Sequence, residues 1–191
     1  EHLNTPVDVL IILSKDESKW VRKSVASNPN TPVDVLRVLA QDEVNCVCKG
    51  VAKNESTPED VLGTLSKNKN KEVCEAVAAN PSTPIDVLKT LADNDLYEVR
   101  ENVARNPNTP ADALATLSKD KNVWVRWAVA FNPNTPSDVL EKLAQNEDTD
   151  EDLREYVAWD ESAPVEPNYE EILRNMANEY DANAMIKERE R

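Results

Sequence analysis

One position of this chain carries either an arginine or a cysteine, and it recurs at a constant spacing along the sequence. Its occupants are Arg22, Cys48, Cys74, Arg100, Arg126 and, displaced by two residues, Arg154. Because it adjoins apolar positions, we expect the guanidinium to be partly buried. A row of such cations could bind an anionic ligand. Alternatively, each guanidinium could satisfy carbonyls or an aspartate at a turn, such as Asp16 or Asp120, and we favour this structural interpretation because buried charges must be paired.

The cysteines suggest a second kind of chemistry. Cys46 precedes Cys48 by two residues, and Cys74 lies one repeat further on. Equivalent residues of stacked repeats are expected about 8–10 Å apart, which exceeds the ~7 Å between Cα atoms that a disulfide tolerates. A zinc site needs about four ligands, and the only histidine, His2, is remote in sequence. We therefore expect three unbridged, metal-free thiols and no cofactor.

An aromatic stripe interrupts the otherwise polar outward positions. Trp124, Trp127 and Phe131 have helical i, i+3, i+7 spacing, and Trp159 matches Phe131 in the next copy. Equivalent positions elsewhere are mostly charged or small, with Trp20 the exception. Exposed aromatic patches usually mark contact sites, so these four residues are a candidate partner-binding surface. The alternative is that a C-terminal helix folds back and covers the rings.

No enzyme signature is present. The sequence has no phosphate-binding glycine loop, no histidine in a triad pattern and no metal-ligand cluster. A site built from carboxylates alone is the remaining catalytic route. We expect the chain not to be an enzyme.

A Thr-Pro dipeptide defines the elements that position these residues. It begins at Thr5, Thr31, Thr57, Thr83, Thr109 and Thr135, always at the same interval. A fixed period of ~26 residues predicts a stacked repeat protein. In each copy we expect the threonine to be the N-cap of a first helix and the proline its first residue, with an aspartate three residues after the threonine completing a capping box.

Two short helices are predicted in each copy. In the second copy, Leu36 and Leu39 belong to the apolar stripe of the first helix, and Val47 and Val51 to that of the second. The second helix is expected to stop at Asn54, because most copies read Asn-Pro there and a residue before proline leaves the helical region.

The period breaks after Gln145, where a two-residue insertion is predicted. We therefore divide the chain into tandem repeats over residues 1–162 and a C-terminal cap and tail over residues 163–191. The chain lacks an initiator methionine, and residues 1–4 align with the end of a repeat. We expect a fragment or processed product, with more repeats or another module upstream.

Composition restricts the possible partners. The formal net charge is −14, from 36 acidic and 22 basic residues, and such a field repels phosphate backbones. No apolar run is long enough to span a bilayer, and no signal peptide is recognised. Three cysteines imply no disulfide framework, so a reducing cytoplasm is the expected location.

The repeat unit resembles the leucine-rich repeat variant family. The match is closest in residues 83–108, with Leu88, Leu91 and Val99 among the matching positions, and it extends over residues 1 to about 162. The resemblance implies a right-handed α-solenoid in which an α-helix pairs with a shorter, often 3₁₀, helix. We expect the first helix to be the tighter one. One described member carries an iron–sulfur module bound by cysteines outside its repeats, but no such cluster is present here.

The sequence as a whole favours an all-α solenoid that acts as a protein–protein interaction scaffold through one long face, with self-association also possible. One alternative is an accessory module of an iron–sulfur or other redox or metal protein, with its cofactor part upstream. Another is a nucleic-acid-binding helical repeat, which would need a basic stripe. Lys23, Lys49 and Lys53 supply only a short one.

Overall fold

A computed structural model describes residues 5–145 and 153–154 of the chain, and all the regular elements that it describes there are α-helices. Shorter and longer helices alternate. The shorter helices are α1 (Val7–Leu13), α3 (Val33–Leu39), α5 (Glu59–Leu65), α7 (Ile85–Leu91) and α9 (Ala111–Leu117). The longer helices are α2 (Lys19–Ala26), α4 (Asn45–Lys53), α6 (Lys71–Ala79), α8 (Tyr97–Arg105) and α10 (Val123–Phe131), and α11 (Ser137–Gln145) follows. Equivalent helices recur at the interval of the Thr-Pro pairs, which confirms the predicted period.

The chain divides into two compact units, residues 1–139 and residues 140–191. The first contains five two-helix repeats, which we number 1 to 5 from Thr5. In the second, the described residues are the end of α11 and residues 153–154. The predicted boundary between residues 162 and 163 lies outside the described residues.

The longer helices form a continuous row through the array. Each packs most closely against the longer helix of the next repeat, in the order α2, α4, α6, α8 and α10, and the shorter helices pack against these. The predicted apolar stripes supply the contacts: Leu36, Val47 and Val51 are fully buried. The predicted all-α solenoid is confirmed for the described repeats.

The shorter helices are α-helical, so the expectation of a tighter first helix is wrong. In α1 the N–H of Leu10 donates to the carbonyl of Pro6 at 3.1 Å, and that of Ser14 to Leu10 at 2.9 Å, both with α-helical spacing. Bonds of 3₁₀ type appear at the ends of the shorter helices, as from Lys15 to Ile12. The first helix of each repeat has seven residues, and a turn follows it directly.

A buried asparagine side chain joins each longer helix from α4 onwards to the repeat before it. Asn80, which is 3% exposed, donates from Nδ2 to the carbonyl oxygens of Ala52 (2.7 Å) and Asn54 (3.0 Å). Its Oδ1 accepts from the N–H of Ser82 at 2.8 Å, within the turn that follows the helix. The same three bonds recur at Asn54, Asn106 and Asn132. We call these four side chains the asparagine ladder.

The ladder occupies carbonyls that a helix end leaves without intrahelical partners. Ala52 lies in the last turn of α4, and Asn54 is the residue that ends this helix, with φ −76° and ψ 120°. The prediction that the helix stops at the asparagine is therefore confirmed. The contact with the preceding repeat is not evident from the Asn-Pro pattern, which is local.

The threonine of each Thr-Pro pair from Thr31 onwards caps the helix before it rather than the helix after it. Thr83 donates from Oγ1 to the carbonyl of Val77, six residues earlier, at 2.6 Å. The equivalent bonds, between 2.5 and 2.6 Å, are made by Thr31, Thr57, Thr109 and Thr135. The buried hydroxyl thus satisfies another carbonyl at the end of the longer helix.

The predicted threonine N-caps and aspartate capping boxes are therefore wrong. Proline is the N-cap residue of α1, α3, α5, α7 and α9, and no side chain caps these helices. The threonine lies one residue too early for that role, and its hydroxyl is already bonded. Two of the aspartates, Asp60 and Asp112, instead pair with Arg37 and Lys89 of the preceding repeat.

Asn80→Ala is expected to lower the free energy of unfolding by about 2–3 kcal/mol, because it removes the partner of two buried carbonyls and one N–H. Denaturant unfolding followed by circular dichroism measures the change. Asn108→Ala is the matched control, since Asn108 also donates to the preceding repeat, at Pro81, but from an exposed position. Its expected effect is below about 0.5 kcal/mol, and equal losses in the two variants would contradict this account.

Candidate interaction face

The longer helices present one side away from the core, and we call this side the outer face. In repeats 1 to 4 it is built from two positions per repeat, occupied by Trp20, Cys46, Glu72 and Glu98 and by Lys23, Lys49, Glu75 and Glu101, and repeat 5 adds Trp124. The intervening core position is valine in repeats 1 to 5 and is fully buried from repeat 2 onwards, as at Val47 and Val73. The array therefore keeps its interior constant while the chemistry of its outer face changes from repeat to repeat.

Charge on the outer face changes sign along the array. Lys23 and Lys49 lie in the first two repeats, and glutamates follow in the third and fourth. At the junction Lys49 Nζ lies 2.6 Å from Glu72 Oε2, and this bond lowers the pKa of Glu72. One repeat further on, a bond of 2.5 Å from Lys71 lowers the pKa of Glu98.

Glu101 is the least solvated carboxylate of this face. Burial raises its pKa, the charges of Glu98 and Glu75 raise it further, and Arg105 at 2.6 Å opposes them. A carboxylate held in this way gains from an additional cation. Glu75, Glu98 and Glu101 therefore form an acidic zone on repeats 3 and 4.

The aromatic stripe differs from the prediction. Trp127 is 2% exposed and therefore does not face solvent. Its indole stacks on Phe131, with ring centroids 5.4 Å apart and planes at 21°. Trp124 and Phe131 are half-buried. Trp159 lies outside the described residues, and partner binding by this stripe stays a prediction.

The arginines of the recurring position bond to turns. Arg100 donates from Nε (2.5 Å) and Nη2 (3.0 Å) to both carboxylate oxygens of Asp120 in the next repeat. Its Nη1 donates to the carbonyls of Asn94 (2.6 Å) and Asp95 (3.1 Å) in its own repeat. This is the kind of arrangement that the structural interpretation predicts, and no guanidinium nitrogen of Arg100 is left for an external anion.

Arg22 repeats this geometry. It bonds to both carboxylate oxygens of Asp42 in the next repeat, at 2.6 and 3.1 Å, and to the carbonyl of Asp16 at 2.8 Å. Asp16 thus contributes its backbone, whereas the carboxylate comes from its equivalent one repeat later. Arg126 is 7% exposed and donates to the carbonyl of Asp120 at 2.8 Å. Arg154 is half-buried.

Cys48 and Cys74 occupy the same recurring position as the arginines. Each thiol contacts the backbone carbonyl six residues earlier, which is the carbonyl that Arg100 bonds in its own repeat. Cys48 Sγ lies 3.2 Å from the carbonyl of Asp42, and Cys74 Sγ lies 3.0 Å from that of Asn68, in each case six residues earlier. Burial raises the pKa of both thiols, which disfavours the thiolate that metal binding or nucleophilic attack requires. All three cysteines carry free thiols. Among the described residues, no three His, Cys, Asp or Glu side chains come together to hold a metal.

The partner position in the next repeat changes together with the arginine in four pairs, whereas Arg126 is followed at the same spacing by Asn146. Aspartate follows arginine, in the pairs Arg22–Asp42 and Arg100–Asp120, whereas asparagine follows cysteine, in the pairs Cys48–Asn68 and Cys74–Asn94. In all four turns the side-chain Oδ1 accepts from the N–H two residues later. A Cys–Asn pair in place of an Arg–Asp pair therefore keeps the hydrogen bond of the turn and removes the positive and the negative charge together. The signal was present in the sequence, but only comparison across adjacent repeats reveals it.

This geometry defines a helical-repeat solenoid, and comparison with known proteins shows which type of repeat it resembles. A family model described as leucine rich repeat variant matches residues 20–44 and 97–122. Among solved structures, the chain is similar to one titled a leucine-rich repeat variant with a novel repetitive protein structural motif, with 24% identity and a TM-score of 0.63. The match covers 82% of this chain and 61% of that one. No match was found among curated proteins. The resemblance to the leucine-rich repeat variants is thus confirmed at two repeats and in the fold.

Arg100→Cys alone is expected to lower the free energy of unfolding by about 3 kcal/mol, because it leaves the buried Asp120 carboxylate without its cation. Arg100→Cys with Asp120→Asn recreates the natural Cys–Asn pair and should recover most of that loss. Denaturant unfolding of both single variants and the double variant measures the coupling. Additive losses would show that the two positions are independent and would contradict the proposed pairing.

Acid should weaken the array through Asp120. Burial alone would raise its pKa, but the bonds from Arg100 and from the N–H of Asn122 lower it below the ordinary value of 3.8. Stability from this group is therefore complete above the unfolded pKa and is lost as pH falls through the folded pKa. The Arg100→Cys, Asp120→Asn double variant should lose less stability between pH 5 and pH 2, by up to about 1.4 kcal/mol per pH unit. Identical pH profiles would refute this contribution.

Proposed function

We propose that this chain is a non-enzymatic scaffold that binds a partner protein through the outer face of its longer helices. The observation that carries the proposal is the contrast between positions. Core valines and the asparagine ladder are the same in successive repeats, whereas the adjacent outer position reads Lys49, Glu75 and Glu101 in consecutive repeats. Stacking requires only the constant positions, so the variable ones are available for recognition. Repeat arrays use extended surfaces of this kind for binding.

The acidic zone defines the chemistry of the partner most sharply. Glu75, Glu98 and Glu101 lie on adjacent repeats, and burial raises the pKa of Glu101, with the charges of the other two carboxylates raising it further against the opposing charge of Arg105. A cationic segment of the partner would lower the electrostatic cost of holding these carboxylates close together. Trp124, half-buried in the next repeat along the array, offers an aromatic anchor beside the zone.

The alternatives have less support. A nucleic-acid reader needs a continuous basic stripe, but Lys49 is bonded to Glu72 and the outer face turns acidic in the next repeat. A metal or iron–sulfur cofactor held by the buried thiols of this chain would need them to be reactive, whereas Cys48 and Cys74 lie against carbonyls and have raised pKa values. These thiols do not fit a cluster. Free thiols agree with the reducing cytoplasm that we propose as the location. No described helix has the length and apolar character needed to cross a membrane.

Removing charge from the acidic zone should abolish partner retention without unfolding the chain. Glu75→Gln, Glu98→Gln and Glu101→Gln in one variant keep side-chain size while removing three negative charges. The matched control is Asp34→Asn, Glu59→Gln and Asp86→Asn, which removes three exposed negative charges from the shorter helices. Quantitative affinity capture, followed by dissociation constants for any captured protein, compares the two variants with the unmodified chain.

We expect at least a tenfold loss of affinity in the outer-face variant and little change in the control, with melting temperatures of both close to that of the unmodified chain. Equal retention by all three proteins would exclude the acidic zone as the binding site. Equal loss in both variants would show that net charge, rather than this face, governs binding.

A further inference from the structure

The outer face carries a second charged surface, in repeats 1 and 2. Helices α2 and α4 contain the lysines Lys19, Lys23, Lys49 and Lys53, and neither helix contains an acidic residue. Lys19 and Lys53 are exposed, and Lys23 and Lys49 are half-buried. We call these four side chains the basic zone. None of them is a stacking residue of the core, so the zone is independent of what precedes repeat 1.

The lysines of the basic zone lie close together. The ammonium groups of Lys19 and Lys23 lie 5.2 and 5.6 Å from the ring centroid of Trp20. Lys49 bonds to Glu72, and the charges of Lys23 and Lys53 act on the same carboxylate and lower its pKa further. The two lysines at outer-face positions, Lys23 and Lys49, are the equivalents of Glu75 and Glu101 in repeats 3 and 4.

The outer face is therefore divided into two halves of opposite sign and equal length. The basic zone covers repeats 1 and 2, and the acidic zone covers repeats 3 and 4. Helices α6 and α8 carry four glutamates, which outnumber the two exposed cations of these helices, Lys71 and Arg105. A surface divided in this way is complementary in charge to a second copy of itself when that copy runs in the opposite direction.

The net charge of the repeats does not prevent two copies from meeting. Residues 1–145 contain 21 acidic and 17 basic side chains, a net charge of −4, whereas the whole chain carries −14. Residues 146–191 therefore account for −10. Most of the charge that makes two copies repel each other thus belongs to the part of the sequence after α11.

Two-fold symmetry allows two ways of placing the outer faces of two copies together. If the arrays run in the same direction, each repeat faces its own equivalent, and lysines face lysines. If they run in opposite directions, with the axis between repeats 2 and 3, repeat 1 faces repeat 4 and repeat 2 faces repeat 3. Lys23 then faces the repeat of Glu101, and Lys49 faces the repeat of Glu75. Because the spacing of the repeats is constant, both matches form at once.

We propose that two copies of this chain form an antiparallel dimer in which the basic zone of each copy binds the acidic zone of the other. This rests on the proposed function, because it names a second copy as the partner of the same face. The contact is isologous and closes at a dimer. Lys49 can bond a carboxylate of the second copy while it holds Glu72, since an ammonium group has three donors.

Charge reversal followed by mixing tests this proposal on the full chain. Lys23→Glu with Lys49→Glu places glutamate at this outer-face position in all of repeats 1 to 4, and Glu75→Lys with Glu101→Lys places lysine there. Each double variant alone should dimerise at least about tenfold more weakly, because like charges then face each other. An equimolar mixture of the two should form a 1:1 dimer, because opposite charges meet again in both halves of the contact.

Sedimentation velocity over a concentration series measures dimerisation, and native mass spectrometry identifies the composition of the dimer in the mixture. Lys67→Glu with Lys119→Glu is the matched control, because both lysines are exposed and lie in turns after shorter helices. This control makes the same change in net charge as the Lys23, Lys49 variant and should leave dimerisation unchanged. Circular dichroism checks that every variant retains its helices.

Weaker dimerisation of both outer-face variants, recovery in the mixture and no change in the control would support the proposal. A chain that stays monomeric at its highest soluble concentration would overturn it, and so would a mixture that stays monomeric. Equal weakening in the control would also overturn it, because net charge rather than this face would then govern association.

Failure of this proposal can be distinguished from failure of the proposed function. The Lys23, Lys49 variant keeps the acidic zone, so it should still capture a different protein that binds there, although it no longer binds a second copy. A monomeric chain that captures such a protein through the acidic zone would overturn the dimer and leave the proposed function standing. The absence of both a dimer and a captured protein would overturn both.

Discussion

The asparagine ladder is the interaction on which the array depends. Each helix end leaves carbonyls without partners, and stacking takes these carbonyls out of reach of water. Asn54 and its three equivalents each satisfy two of these carbonyls. The side-chain amide donates to both carbonyls in the previous repeat, and its oxygen accepts one bond from an N–H of its own turn. An aspartate of the same length could not donate these two bonds, because a carboxylate only accepts. This accounts for the asparagine at the end of each longer helix from α4 to α10.

The ladder also explains the fixed period. The two carbonyls that Asn80 contacts lie 28 and 26 residues earlier in the chain, at Ala52 and Asn54. An inserted residue between two rungs would displace the donor from both acceptors. The arginine position is less restrictive, because an Arg–Asp pair and a Cys–Asn pair leave the same turn intact. The choice of residue is therefore most restricted at the end of the longer helix and least restricted on the outer face, where the side chains are available for recognition.

Much of this fold could be predicted from the sequence, because local patterns encode it. The fixed period, the two helices of each repeat, the buried valines and the stop at asparagine all follow from spacing and from the properties of proline. The roles of threonine and asparagine could not be predicted, since their partners are distant carbonyls that only the folded array brings close. Thr-Pro satisfies the N-cap pattern in sequence, but the hydroxyl is used by the preceding helix end. Trp127 illustrates the same limit: spacing placed it outward, yet its indole stacks on Phe131 and is buried.

Hydrogen exchange of the asparagine side-chain amides tests the central claim most directly. If Nδ2 of Asn54, Asn80, Asn106 and Asn132 bonds two buried carbonyls, their side-chain protons should exchange only when repeats separate. Nuclear magnetic resonance should then show four strongly protected side-chain amides, while that of the exposed Asn108 exchanges within the dead time of the experiment. Exchange of the four ladder amides as fast as that of Asn108 would contradict the account.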